Sequence, residues 1–94
     1  TAVDNGLQIT VTEQKTGDTP GHVPFLVQVK NTVKDARSLN GRLVLLSGAD
    51  EVGGCTIFVA VQGNESKDKI FQCKGTGHKT WKFTVTKVYN FYTD

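Results

Sequence analysis

Apolar and polar side chains alternate with period two along most of the chain, and that alternation is the signature of half-buried strands. It is clearest in residues 80–92. Trp81, Phe83 and Val85 fall on one side there, and Lys82, Thr84 and Thr86 on the other. The same pattern predicts a strand over 7–12, with Leu7, Ile9 and Val11 opposed to Gln8, Thr10 and Thr12. A second covers 25–30, where Phe25, Val27 and Val29 turn inward and Pro24 occupies the opening position, at which no ladder donor is required. Residues 39–46 differ: Leu43 and Leu45 lie on one face, but Val44 and Leu46 make the other face apolar too, which predicts a covered or central strand. In residues 55–61, Cys55, Ile57, Val59 and Val61 alternate with Thr56, Phe58 and Ala60, and residues 69–74 return alongside.

The connections read as turns and loops. Residues 13–23 carry Gly17, Asp18, Pro20, Gly21 and His22, and form a stretch longer than most hairpin connections, of the kind in which binding residues often lie. Residues 31–38 are polar, and 33–39 hold too few apolar residues at helical spacing to predict a helix. A Gly-rich acidic loop with Asp50 and Glu51 is expected over 47–54, a turn over 62–68, and a tight turn at Gly75, Thr76, Gly77 and His78. No repeat or linker interrupts the pattern. The expected fold is therefore all-β: one domain over 1–94, a compact antiparallel β-sandwich or flattened barrel of six to seven strands with one disulfide.

Cys55 and Cys73 are expected to form that disulfide. Paired within a hairpin, they place Asn64 at its midpoint and make Ile57 oppose Phe71 and Val59 oppose Lys69. Opposed Cα atoms in a non-hydrogen-bonded antiparallel pair lie about 4.5 Å apart, at the short end of what a disulfide accepts. Closing such a loop stabilises a fold by roughly 3 kcal/mol on the chain-entropy model. An inter-sheet bridge of the immunoglobulin kind has a core Trp between its cysteines, whereas Trp81 follows both. With His22 and His78 in glycine-rich loops, no zinc-ligand spacing appears, and no metal site or cofactor is expected.

The chain has 94 residues, 37% hydrophobic and 21% charged, ordinary values for one globular domain with one core. Its net charge of +2 gives no clear nucleic-acid signal. The distribution is more informative than the sum. Lys69, Lys74, Lys79, Lys82 and Lys87 lie in a stretch without an acid, whereas Asp4, Glu13, Asp18, Asp35, Asp50 and Glu51 come earlier, so one end of the molecule is expected to be positive. No run is long enough to span a membrane and no leader is apparent. The lack of methionine, even at position 1, suggests a processed chain. With the paired cysteines and an N-glycosylation acceptor at Asn64, Glu65 and Ser66, these hints point to a secreted, extracellular glycoprotein.

Catalytic chemistry is sparse. His22 and His78 with a lysine such as Lys79 form a set that in principle cleaves RNA by general acid and base catalysis, or else two solvated loop histidines. The loop acids Asp18, Asp35, Asp50 and Glu51 are calcium ligands or solubilising charges. The lysines of the last two strands form a stripe for phosphate, sulfated sugar or an acidic protein surface, or simply block edge pairing. Lys82, Lys87, Tyr89, Phe91 and Tyr92 are the candidate binding residues. The crowded aromatics at the end of the chain either cover the far side of the sandwich or stand exposed as a platform. A non-enzymatic binding protein is expected, acting through loops and a strand face on a protein partner as a toxin, effector, inhibitor or recognition module does. The alternative is a carbohydrate-binding domain using the terminal aromatics, and the third reading is a small secreted nuclease. Residues 7–12 and the last segment are the expected sheet edges, through which a homodimer could form.

Overall fold

In a computed structural model of the protein, the description covers residues 6–14 and 20–90, together with the backbone of 2–4. Its strands are β1 (Ala2–Asp4), β2 (Leu7–Glu13), β3 (His22–Asn31), β4 (Arg37–Ser47), β5 (Asp50–Val61), β6 (Ser66–Gly75) and β7 (Thr80–Tyr89). All neighbours are antiparallel, in the order β1-β2-β3-β6-β5-β4-β7. The expected all-β architecture is present as a nearly closed, barrel-like sheet with one disulfide.

The sheet works as two halves. β3 and β6 pair from His22 opposite Lys74 to Lys30 opposite Ser66, and β4 and β5 pair from Arg37 opposite Val61 to Ser47 opposite Asp50. Between the halves, β5 and β6 pair only at Gly53 with Gly75 and Gly54 with Lys74. The inward residues Leu7, Ile9, Phe25, Val27 and Val29 of one half pack against Leu39, Leu43, Leu45, Ile57, Val59 and Val61 of the other, and all of them are buried. Period-two alternation thus supplies one apolar face to each half, and the two faces make the core.

Glycine makes the corner between the halves. A Cβ at Gly53 would run into the Lys74 carbonyl oxygen, and one at Gly54 into that of Leu43. The stretch 47–54, expected as a loop, is therefore mostly strand: only Gly48 and Ala49 turn, and β5 begins at Asp50. Its glycines mark close passage of backbones rather than an end of pairing. Cys55 and Cys73 continue the corner register by one step and are bonded, with Cα atoms 4.8 Å apart.

Beyond the disulfide the expected hairpin ladder is not formed. Ile57 pairs with Gly41 and Val59 with Leu39, whereas Phe71 pairs with Phe25 and Lys69 with Val27. Each strand joins a different half, because β5 buries Ile57, Val59 and Val61 against the core while β6 at the corresponding positions carries exposed Lys69 and half-buried Lys67.

At the far end, the turn holding Asn64 is tied to the connection between β3 and β4. Asn31 N donates to Glu65 O and Asn64 N to Val33 O, each at 2.8 Å. The buried Asn31 side chain completes the join: Nδ2 donates to Asp35 O at 2.8 Å and reaches Gln62 O at 3.3 Å and Val61 O at 3.4 Å, while Oδ1 accepts from Val33 N at 3.1 Å.

Of the two expected edges, one changes. Residues 7–12 are not an edge along their whole length, because β1 pairs with Leu7, Gln8 and Ile9. β7 does lie at the margin, paired with β4.

Candidate functional site

β7 owes its position to its inward side chains. Trp81 meets the ring of Phe25 edge-on, with centroids 5.2 Å apart and planes at 71°. Phe83 lies over Gly41, where a Cβ would stand 2.7 Å from its ring, so the glycine of β4 is the seat for that aromatic. A bulge follows: Asn40 faces Lys87 and Gly41 faces Val85, leaving Thr86 as the extra residue. The bulge resets the alternation, so Val85 and Val88 both turn inward and Lys87 and Tyr89 take the outer face. The break in the sequence pattern at Lys87 has this cause.

Register then defines the outer face. On β7 it carries Lys82, Thr84, Lys87 and Tyr89, opposite Val44, Arg42, Asn40 and Ser38 of β4, with Thr56 and Phe58 of β5 beyond. Arg42 Nη2 donates to Glu51 Oε1 at 3.0 Å, and both side chains are more than half exposed. Such a pair contributes little to stability, but it offsets the charge of Arg42 and leaves the lysines as the local excess. Lys87 Nζ stands 4.9 Å from the centroid of Tyr89, a cation–π contact. At this end of the face Ser38 and Ala60 are buried.

The structure brings together Lys82, Lys87 and Tyr89 from the sequence-predicted set. Phe91 and Tyr92 lie outside the described residues, as do Gly17 and Asp18 of the long loop. The lysines of the last two strands do not make one stripe, because β5 and β4 separate β6 from β7. Lys69 instead stands over its own strand's Phe71, with Nζ 5.2 Å from the ring centroid. Comparison with family models, curated proteins and solved structures finds no match.

His22 Nδ1 lies 3.2 Å from Pro20 O, and His78 Nε2 lies 3.2 Å from Glu13 Oε1, so the two rings have separate partners. No group of three or more His, Cys, Asp or Glu suited to a metal gathers among the described residues. An open depression of about 700 Å³ runs over the glycine corner, lined by Arg42, Glu51 and Lys74 together with Gly53, Gly54 and Gly75. Asn64 is exposed at its turn with φ 58°, a left-handed conformation that Asn tolerates better than most residues. No helix among the described residues is long and apolar enough to cross a membrane.

Sequence reasoning missed Arg42 and Phe58. Both sit on strands whose outward positions are partly apolar, and their place beside Lys82 and Lys87 depends on β4 pairing with β7, for which local alternation gives no signal.

Proposed function

We propose that the protein is a non-enzymatic extracellular binding module that engages a protein partner through the outer face of β5, β4 and β7. The observation that carries this reading is the gathering of Lys82, Lys87 and Tyr89 with Arg42 and Phe58 on one face. Aromatic groups and arginine are enriched in protein interfaces, and a positive rim speeds encounter with acidic surfaces. Two facts favour protein over sugar. One face of Tyr89 is occupied by the Lys87 ammonium, and Trp81 and Phe83 are packed against Phe25 and Gly41 rather than offered to a pyranose ring. The separate partners of the histidines weigh against the nuclease. A disulfide is compatible with an extracellular location, and exposure of Asn64 in its turn supports the reading of that residue as a glycan acceptor.

The test is affinity capture with the wild-type protein and a K82E/K87E variant, with mass spectrometry of what is retained and a glycan array in parallel. Proteins held by the wild type and lost from the charge-reversed variant, with an empty array, are expected. Retention of the same proteins by both, or a strong array signal, would overturn the reading.

A further inference from the structure

We infer that the free margin of β7 is itself a docking edge, which adds an extended acidic segment of the partner as a further antiparallel or parallel strand. This inference rests on the binding function proposed above and names the chemistry of the partner. β7 spans Thr80–Tyr89 and pairs with β4; among the described residues no strand pairs with its other side. Over residues 80–88 the backbone groups on that side have no strand partner among the described residues, and strand addition to an open edge is a recurring way of binding a peptide.

Burial gives the second argument. On the neighbouring strand β4, which is paired on both sides, the inward residues Leu39, Leu43 and Leu45 are all 0% exposed, whereas Trp81, Phe83, Val85 and Val88 on β7 are only half-buried. What they lack is a neighbour on the open side. A strand with an apolar side chain at every second position would cover them. Glu13 reaches His78 just ahead of β7, so the stretch from Lys82 onward is the accessible one.

Charge selects the occupant. Lys82 and Lys87 alternate outward on β7, Lys79 precedes it, and the sequence has no acid from Lys69 to Thr93. A second copy of the chain pairing through β7 would bring lysines against lysines, and like charges across strands destabilise a pair. A segment in which acidic and apolar residues alternate meets both faces: its carboxylates lie beside the lysines and its apolar side chains over the half-buried row. The lysines that deter self-pairing thereby favour this partner.

The experiment uses ¹⁵N-labelled protein and synthetic end-blocked peptides. One alternates glutamate with valine, one alternates lysine with valine, and one is the glutamate peptide with alternate backbone nitrogens methylated. The glutamate peptide is expected to shift the amide signals of residues 82–89 and to slow hydrogen exchange at alternate β7 amides. Binding should weaken about tenfold in K82E/K87E, the loss of roughly 1.4 kcal/mol that two exposed charge pairs can supply. The lysine and methylated peptides should not bind. Equal binding of the methylated peptide, or shifts at Arg42 and Phe58 without protection of β7 amides, would overturn the edge while leaving the face reading intact. Dimerisation of the free protein through β7, read by sedimentation and exchange, would also overturn it. Failure of the capture experiment above, by contrast, removes the broader reading.

Discussion

Asn31 is the residue on which the far end of the molecule depends. It reads in sequence as the first residue of a polar connection, yet it is 1% exposed and its side chain joins the β3–β4 connection to the end of β5. Truncation leaves buried carbonyls and the Val33 amide without that partner, and each unsatisfied group costs about 1–3 kcal/mol. Asn31→Ala should therefore lower stability by about 2–3 kcal/mol and the melting temperature by roughly 10 °C or more, measured by calorimetry. The glycines give a second contrast at this scale. A Cβ at Gly53 meets backbone, whereas Gly48 has open space around it and a φ of 65°. Gly48→Ala should cost about 1 kcal/mol for the left-handed conformation, and Gly53→Ala should cost more because two strands must move apart. Urea denaturation of the two variants checks the ranking, and an equal or smaller cost at Gly53 would contradict the close crossing.

At the scale of strands, the local pattern is legible and the partners are not. Alternation placed Leu7, Ile9, Phe25, Val27, Val29, Ile57 and Val59 inward, because the period-two rule acts on neighbouring residues of one chain. It also marked β4 as covered or central, from apolar residues on both faces, and β4 is an interior strand paired on both sides, next to the margin. Two things escaped it. Gly53 and Gly54 read as breakers because composition does not distinguish a turn from a crossing, and the division of β5 and β6 between two halves is decided by burial in three dimensions. The hairpin register inferred from the cysteines is correct at Cys55, Cys73 and the adjoining glycines and ends there. Because that bond joins the halves beside their shared pairs, a C55A/C73A variant should lose roughly 3 kcal/mol in denaturant unfolding. Its amide shifts should concentrate at Gly53, Gly54, Lys74 and Gly75. Loss of the β3–β6 or β4–β5 ladder in the folded variant would contradict this division of roles.

For the whole molecule, the proposed function rests on where the sheet stops. The two halves bury their inner faces against each other, and β7 at the margin is left with half-buried apolar residues on one side and lysines on the other. The candidate site was half legible: Lys82, Lys87 and Tyr89 stood out in the sequence, but Arg42 and Phe58 join them only through register. The proposed docking edge depends on β7 being open, and native-state hydrogen exchange of the free protein measures that directly. Within residues 82–85, amides aimed at β4 should be strongly protected while their alternate neighbours exchange close to the rate of an exposed strand. Equal, strong protection at successive β7 amides would mean that the edge is already paired, and would contradict the account.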